Sequence, residues 1–338
     1  MAEIAKLLGV SVQTVSAVVN GKPGISAETQ NRVREAVDRL EYHPNQQART
    51  LRGVRSKTVA VIIPSITNPY FPEFVKGIED EARKTGHSIF LCNTDHELAH
   101  LLEYFSLIRT NKAAGLICSI GIAGEWLANA EVEKRIRRFS RDDVSVVING
   151  RFREDLPVSA VTVDDTDAVH AAVQHIIDLG HRRIGIISPP EGFVVTRERL
   201  TAFKKAFADC GHPLDESLIV QGDFDIESGA RGAKALMERR DKPTAIIAAN
   251  DLAAFGAIAE LSSQGLSVPD DVSVLGFDDI AFARVYQPAL TTIAQPIYEL
   301  GAAALRLAIA PAVPDGESRN IVTLAAKFVA RSSTAAAR

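Results

Sequence analysis

Two pairs of adjacent acids, Asp164-Asp165 and Asp278-Asp279, come closest in this chain to the spacing that metal binding or acid–base chemistry requires. Carboxylates in pairs bind divalent cations, or act as a general acid and a general base. Neighbours in sequence point apart, however, and no histidine stands at a spacing that would complete a metal site. We therefore predict no metal site, and expect Asp164 to bond a ligand or to cap the following helix.

Sequence motifs for a cofactor or for an enzyme reaction are not recognisable. The chain contains no G-x-x-x-x-G-K-[ST] loop to cradle a phosphate, and the segment between Gly121 and Gly124 is too short for a dinucleotide fingerprint. No nucleophile elbow or other catalytic arrangement is found in the sequence. We expect no cofactor and no enzymatic activity.

Polar and aromatic residues near the ends of predicted strands form a third group, which suits ligand binding. Loops after parallel strands carry the ligand contacts in open α/β sheets. The predicted effector-binding residues are Tyr70, Phe71, Asp95, Arg151, Arg199, Phe224, Asn250, Asp278 and Gln295. Their acids, arginines and amides suit a sugar or polyol at least as well as a nucleobase.

Some of these residues have simpler interpretations. Tyr70 and Phe71 stand at the start of a predicted helix, and they could serve only to pack that helix against a sheet. Arg199 could lie on a solvated helix face. Arg197 is a weaker alternative to Arg199, because one helical turn cannot present both guanidinium groups equally.

Strands and helices alternate from Thr58 onward, and these elements must position the ligand-binding residues. Continuous apolar runs such as Val59–Pro64 predict buried parallel strands, while the intervening segments have helical periodicity. This alternation specifies a doubly wound sheet. It occurs in two successive stretches, the second beginning at Ala160. We predict an α/β core of two doubly wound parallel sheets that face each other across a cleft.

The first 45 residues follow a different, helical pattern. Ala2–Leu8 is predicted to form a helix that ends at Gly9, and Ser11 is placed to cap a second helix, with Ser26 capping a third. The second helix has a small and polar outward face that suits the major groove of DNA, although a hairpin that only packs has the same pattern. Its predicted DNA contacts are Val12, Gln13, Thr14, Ser16, Ala17 and Asn20.

Charge and composition agree with a DNA-binding head on a globular body. Residues 1–57 hold 9 Lys and Arg against 5 Asp and Glu, whereas the remainder holds 29 against 37. No run of about 20 apolar residues predicts a membrane span, and the N-terminus does not resemble a signal peptide. The three widely spaced cysteines indicate a reducing compartment, so we expect a cytoplasmic, nucleoid-associated protein.

The order of residues in the second helix, GVS-x-x-TVS-x-V-x-N-G, resembles the recognition segment of the lactose-repressor family of bacterial transcription regulators. The resemblance covers roughly residues 2–334, and the core is also similar to the purine repressor and, more distantly, to periplasmic sugar-binding proteins. The core segments that carry it are Asn68–Phe71, Gly180–Ile184, Asn250-Asp251, Val272–Asp279, Pro288–Ile293 and Arg331–Thr334. Ala17 departs from the family pattern, because many members carry arginine there.

Residues 42–52 read in isolation as a flexible linker, since a helix of about two turns is unstable alone. The resemblance implies instead a hinge helix that becomes ordered on DNA. Leu51 would then enter a base step of the minor groove with Ala48 alongside, and Arg49 and Arg52 would contact phosphates or the narrowed groove.

The resemblance also implies a division of the chain into domains. Residues 1–43 would form the helix-turn-helix domain and residues 44–56 the hinge. The first lobe of the core would comprise residues 57–161 and 290–319, and the second lobe residues 162–289 and 320–334. In such a core the chain crosses between the lobes three times.

The function implied is that of a ligand-responsive repressor, which binds a pseudo-palindromic operator as a homodimer and has no membrane partner. Asp278 would accept bonds from effector hydroxyls or ring N–H groups, Arg199 would bind the ligand, and Phe224 would stack on it. Whether the effector is a sugar derivative or a nucleobase stays open, as does the direction of its effect. A solute-binding protein and a nucleotide-dependent enzyme are less favoured, because a DNA-binding head is present and a phosphate loop is not.

Overall fold

The computed structural model describes residues 1–19, 22–40, 56–119, 126, 128–150, 152–190, 194–314 and 320–338. Within it the chain divides into two compact units, residues 1–56 and residues 57–338. The first unit is the helical head, and the second is the α/β core.

The described part of the head contains three helices, α1 (Ala2–Leu8), α2 (Val12–Val19) and α3 (Ala27–Arg39). Gly9 ends α1 with a φ of 65°, a left-handed conformation that glycine adopts without a Cβ penalty. Ser11 caps α2 by accepting the Thr14 N–H at 3.0 Å, and Ser26 caps α3 by accepting the Thr29 N–H at 3.3 Å. All three sequence-based expectations are therefore confirmed.

A small apolar core holds the head together. Ile4, Val15 and Val33 are fully buried, one from each helix, and smaller side chains pack around them. The chain bends by 108° between α1 and α2, as expected of a helix-turn-helix, in which the two helices meet at about 90–120°. So few buried side chains leave the head with a small margin of stability.

The described residues of the core form twelve strands. They are β1 (Thr58–Ile63), β2 (Ser88–Asn93), β3 (Gly115–Cys118), β4 (Ser145–Asn149), β5 (Ser159–Asp164), β6 (Ile184–Ser188), β7 (Ile219–Gln221), β8 (Ala245–Ala248), β9 (Ser273–Asp278), β10 (Thr291–Ala294), β11 (Ile321–Ala325) and β12 (Lys327–Val329). One sheet has the order β11-β5-β4-β3-β1-β2 and the other β12-β10-β9-β8-β6-β7. Every pairing is parallel except that of β12 with β10.

Helices cover both faces of each sheet. They are α4 (Tyr70–Thr85), α5 (Leu98–Thr110), α6 (Ala130–Arg141), α7 (Thr166–Asp178), α8 (Val194–Asp209), α9 (Ile226–Met237), α10 (Asp251–Ser263) and α11 (Ile297–Ala308). Two apolar clusters flank each sheet, which explains why the strands read as continuous apolar runs. The predicted fold class, a helical head on two doubly wound sheets, is confirmed.

The division between the two lobes corrects the sequence-based boundaries. The strand that opens at Ser159 was expected to begin the second lobe, yet β5 pairs with β4 and β11 in the first sheet. Conversely, β10 belongs to the second sheet, and β11 returns to the first. The expected boundaries at residues 161, 290 and 320 therefore lie after residues 164, 294 and 325. An apolar run predicts a buried strand, but it does not reveal which sheet accepts it.

Glycines allow very close helix crossings in both lobes. In the first lobe α4 crosses α11, and a Cβ added to Gly301 would lie 2.0 Å from the Phe74 carbonyl oxygen. In the second lobe α9 crosses α10, where a Cβ added to Gly229 would lie 2.0 Å from the Ala253 carbonyl oxygen. Backbone meets backbone at both crossings, so no flexible side chain can give way.

Gly301→Ala is expected to lower the free energy of unfolding of the core by about 1–3 kcal/mol, because the added methyl group must separate α11 from α4. Chemical denaturation followed by circular dichroism measures the change. Arg306→Ala is the matched control on the same helix, because its side chain is exposed and its ion pair with Glu81 is at the surface; a change within about 0.5 kcal/mol is expected. Equal losses in the two variants would contradict the close-crossing explanation.

No single helix among the described residues is long and apolar enough to cross a membrane. Among the described helices, only α1 and α2 taken together have sufficient length and apolar composition, and they are bent with respect to each other. Their apolar side chains supply most of the packed interior of the head.

Candidate ligand-binding cleft and DNA-facing helix

A cavity of about 990 Å³ lies between the two sheets, at the carboxyl ends of their strands. The first lobe contributes Tyr70, Phe71 and Asn149 to its wall, and the second lobe contributes Arg199 and Asp278, among others. Residues of the chain crossings also line it, including Asp164 and Thr323. Ligands bind at this edge of doubly wound sheets.

Asp278 is the buried anion of the cleft. It is the last residue of β9 and is 5% exposed. Its φ of 120° is a backbone conformation that residues other than glycine rarely adopt. The Gln295 side chain donates to its Oδ1 at 2.6 Å, and the Gln295 N–H donates to its carbonyl oxygen at 3.1 Å. The Asp278 carboxyl group is thus held in one position facing the cavity.

Arg199 balances the charge of Asp278. Its Nη2 lies 3.6 Å from Asp278 Oδ1, and its Nη1 donates to the Ala249 carbonyl oxygen at 2.5 Å. The guanidinium carbon lies 3.8 Å from the centroid of the Phe277 ring, close enough for a cation–π contact. Carboxylate, carbonyl and ring together fix a planar donor group at the wall of the cleft.

Burial raises the pKa of Asp278 to about 6, against the opposing effects of Arg199 and Gln295. Because this folded-state pKa lies above the ordinary value of 3.8, the folded protein binds the proton more tightly than the unfolded chain does. The stabilising effect of protonation is complete below pH 4 and is lost as the pH rises through 6. Ionised Asp278 is also the form that accepts two hydrogen bonds from a ligand.

The melting temperature of the protein relative to that of Asp278→Asn is therefore expected to rise as the pH falls from 7.5 to 4.5. The corresponding difference in unfolding free energy reaches about 2 kcal/mol at pH 4.5, since each pKa unit is worth about 1.4 kcal/mol and pH 4.5 lies about 1.5 units below the folded-state pKa. Calorimetry of both proteins across this pH range measures the difference. Titrating groups other than Asp278 are common to both proteins, so their contributions cancel in the comparison. A difference that does not change with pH would contradict the raised pKa.

Tyr70 and Asn149 form the facing wall in the first lobe. The Tyr70 ring meets the Phe71 ring edge-on at 5.1 Å, and Asn149 donates to Ser119 at 3.1 Å. Burial raises the pKa of Tyr70 to about 12, while a hydrogen bond with Asn149 opposes the shift. The charges of Asp278 and Arg199 also act on this pKa, so the phenol lies within electrostatic range of the second-lobe pair. It stays a neutral hydrogen-bond donor at physiological pH.

Two predicted effector residues do not line the cavity. Asn250 is buried, and its side chain caps α10 through the Ala253 N–H at 2.9 Å and donates to the Phe224 carbonyl oxygen at 3.1 Å. It positions the Phe224 loop from behind. Asp95 is exposed and accepts from Asn93 at 2.5 Å, and the next residue, His96, lines the cavity instead. Both positions arise because a residue after a strand can turn either toward the cleft or back to its own backbone.

Most of the predicted effector residues lie at the cavity. The structure brings together six of the nine, namely Tyr70, Phe71, Arg199, Phe224, Asp278 and Gln295. Arg151 lies outside the described residues. Arg197 lines the cavity together with Arg199, so the helix presents both arginines after all, and Asp164 lines it while accepting the Thr166 N–H at 3.1 Å. The bond to Thr166 lies at the start of the following helix, and a bond from Asp164 to a ligand stays a prediction.

Sequence reasoning missed several lining residues, chiefly Asn149, Phe152 and Phe277. Phe277 stands one residue before the end of a strand, where its ring supports Arg199. Asn149 is the last residue of β4 and had the same sequence signal as Asp278, a polar residue that ends an apolar run. The polar strand end could have identified it.

The head exposes two of the predicted DNA-contacting side chains on α2. Val12 is 47% exposed and Gln13 is exposed, whereas Thr14, Ser16 and Ala17 are half-buried at the edges of the same face. Thr14 also bonds the Ser11 hydroxyl at 2.9 Å. The other predicted DNA contacts, Asn20, Ala48, Arg49, Leu51 and Arg52, lie outside the described residues.

A three-helix head with a helix-turn-helix bend, on a bilobed core with a ligand cleft, defines the class of allosteric DNA-binding regulators. Residues 1–45 match the family described as bacterial regulatory proteins of the lacI family, and residues 173–334 match a periplasmic binding protein-like domain. The chain belongs to the LacI family of bacterial transcriptional regulators, and it is a DNA-binding transcriptional regulator.

Individual relatives align along nearly the whole chain. The HTH-type transcriptional regulator DegA of Bacillus subtilis (strain 168) is 34% identical over 332 residues, covering 98% of this chain and 97% of DegA. The lac repressor dimer bound to operator and the anti-inducer ONPF has a TM-score of 0.83 at 26% identity, and the CelR–cellobiose complex has 0.71 at 27%. Both alignments cover 98% of each chain. These relatives are regulators, in line with the resemblance read from the sequence.

Proposed function

We propose that this regulator is a repressor whose affinity for its operator is set by a sugar or sugar derivative in the interlobe cleft. The observation that carries the proposal is the fixed group of Asp278, Arg199 and Gln295, bordered by the aromatic rings of Phe224 and Tyr70. Sugar hydroxyls suit such paired acceptors and donors, and the apolar faces of a sugar ring suit aromatic side chains. Cellobiose in the CelR complex supports the choice of ligand class.

On the DNA side, we propose that residues 1–43 form the operator-binding domain and residues 44–56 the hinge. Two heads in a homodimer would meet the half-sites of a pseudo-palindromic operator in the nucleoid. Val12 would contact a thymine methyl group and Gln13 an adenine edge, with Thr14, Ser16, Ala17 and Asn20 beside them. Leu51 with Ala48 would enter the minor groove, and Arg49 and Arg52 would contact phosphates. No catalytic step forms part of this function.

Cleft closure is the proposed link between effector and operator. Three chain crossings, near residues 165, 295 and 326, join the lobes and leave the rest of each lobe free to rotate as a unit. An effector that contacts both Tyr70 and Asp278 binds the closed form more tightly than the open form. This differential affinity is what allows it to shift the dimer between two operator affinities.

The test is a thermal-shift screen of the full chain against cellobiose, D-ribose, other sugars, sugar phosphates and polyols, followed by calorimetry. A sugar that binds the folded protein raises its melting temperature by mass action. Electrophoretic mobility shifts on a selected operator, with and without that sugar, then measure the coupling. Stabilisation by nucleosides alone, or by none of these compounds, would overturn the assignment to sugars.

A nucleobase effector is the second candidate. It is favoured by the presence of Phe224 and Asp278 in the wall of one cavity, because an aromatic ring can stack on a base while a carboxylate accepts a ring N–H. Adding hypoxanthine, guanine and adenosine to the same screen decides between the two. The sugar proposal requires that none of these bases stabilises the protein more than the best sugar does.

A further inference from the structure

Asp251 is a buried acid to which the effector site assigns no role. It is the first residue of α10 and is fully buried, and it is not among the residues that line the cavity. In the described part of the chain no lysine or arginine forms an ion pair with it. Its Oδ1 accepts from the Thr292 hydroxyl at 2.6 Å, and its Oδ2 accepts from the Ile280 N–H at 2.8 Å. A buried acid without a cation is costly, so its position calls for a physical reason.

The Ile280 hydrogen bond closes a strained turn. The two residues before Ile280 are Asp278, with a φ of 120°, and Asp279, with a φ of 60°. Two consecutive residues other than glycine in the left-handed region persist only where the surroundings hold them. The Asp251 carboxylate supplies such a hold at the end of the turn, and Gln295 binds the turn at its start.

The neighbouring strands leave room for this carboxylate. Gly276 of β9 faces it, and a Cβ added there would lie 2.4 Å from Asp251 Oδ1. Thr292 of β10 is the register partner of Gly276 and provides the hydroxyl that Oδ1 accepts. A glycine and a threonine on adjacent strands are thus fitted around one carboxylate oxygen. This arrangement is independent of the turn, and it fixes the carboxylate from the other side.

We propose that Asp251 is a positioning residue of the effector site, which holds the turn at Asp278–Ile280 so that the Asp278 carboxyl group faces the cleft. Its effect on ligand affinity rests on the function proposed above, whereas its effect on the turn does not. Burial raises the pKa of Asp251 well above its usual range, and the nearby Asp278 charge raises it further. The proposed role is geometric, because the Ile280 N–H and the Thr292 hydroxyl fix the two oxygens of this side chain.

The first measurement needs no effector. Amide hydrogen exchange of Ile280 by NMR on the full chain is expected to quicken at least about 10-fold in Asp251→Ala, because the amide loses its acceptor. Asp251→Asn is expected to restore protection to within about threefold, since its Oδ1 still accepts the Ile280 N–H and its amide can donate to Thr292. Unchanged exchange in Asp251→Ala would overturn the proposal.

The second measurement uses the sugar that stabilises the protein most, with cellobiose and D-ribose as first probes. Thr292→Val removes one bond to Asp251 and is expected to raise the dissociation constant about 3–10-fold. Thr291→Val is the matched control, because this equally buried hydroxyl on the same strand bonds Arg331 and Thr334 instead. A comparable loss of melting temperature is expected in both variants, with weaker sugar binding only in Thr292→Val.

Equal sugar affinity in the two threonine variants would reduce Asp251 to a structural residue and overturn the positioning role. If no sugar of the screen binds the wild-type protein, the sugar proposal fails, and the Ile280 exchange rates still decide whether Asp251 holds the turn. The Asp251→Asn variant distinguishes a role of the side-chain geometry from a role of its charge. Loss of Ile280 protection in that variant would show that charge, and not geometry, holds Asp278 in place.

Discussion

Asp278→Asn is expected to weaken effector binding at least about 100-fold, equivalent to about 2.7 kcal/mol, while operator binding without effector stays within about threefold of wild type. The carboxylate both accepts from Gln295 and balances the charge of Arg199. Asparagine keeps the size of the side chain and tolerates positive φ better than alanine, so the turn is preserved. The loss therefore reports the missing acceptor and charge.

Calorimetric titration of the sugar found in the screen measures the first quantity, and mobility shifts on the operator measure the second. Asp279→Asn is the matched control, since it is the adjacent acid, also has a positive φ, and lies 2.7 Å from Arg331 away from the cavity lining. We expect its sugar affinity to remain within about threefold of wild type, because the ion pair that it removes lies outside the cavity lining. A similar loss in both variants would show that the turn, rather than the Asp278 carboxylate, decides affinity.

Val15→Asp is expected to abolish operator binding while leaving effector binding intact. Val15 is fully buried among Ile4, Val18 and Val33, where a carboxylate has no partner. Burying a polar group without a hydrogen bond costs roughly 2–7 kcal/mol, and an unpaired charge costs more. A three-helix unit of this size has too little stability to absorb that cost, so the head unfolds. The core is a separate compact unit with its own interior.

The Val15→Asp variant is examined for the folding of its head and for the sugar affinity of its core. NMR signals of residues 1–40 should lose their dispersion, whereas the sugar affinity of the core should not change. Val12→Ala on the same helix is the control, because its exposed side chain is expected to leave the head folded and to weaken operator binding by about 1 kcal/mol. Dispersed head signals in Val15→Asp, or a parallel loss of sugar binding, would contradict the independence of the two units.

Local structure was largely predictable from the sequence, because it depends on residues that are close in the chain. The helix Ala2–Leu8 agrees with its predicted bounds. Its end followed from a glycine at positive φ, Gly9. The buried strands followed from their apolar runs.

Sheet membership could not be read in the same way. β5 joined the first sheet by pairing with β4 and with β11, and β11 lies about 160 residues further along the chain. No local pattern encodes such a partner, and an apolar strand fits either sheet. The predicted lobe boundaries failed at these positions for this reason.

The candidate site was predictable in outline and not in detail. Asp278 and Arg199 were identified from their positions near strand ends and from the resemblance. The true position of Asn250, which caps a helix behind Phe224, depended on the direction of its side chain. The importance of Phe277 depended on a stacking contact with a helix that precedes it by about 80 residues. Both are tertiary properties, and sequence spacing does not contain them.

The return of β11 and α11 to the first sheet has a consequence for the growing chain on the ribosome. Residues 58–164 are synthesised early, yet β5 stays at an unpaired sheet edge and α4 stays uncovered until residues 297–325 arrive. At about 5–20 residues per second this wait lasts on the order of 8 to 30 s. The head at residues 1–40 emerges first and can fold during that interval. A nascent chain is therefore expected to present a folded DNA-binding head before it has a complete effector cleft, so the signal that controls the head can act only after synthesis ends.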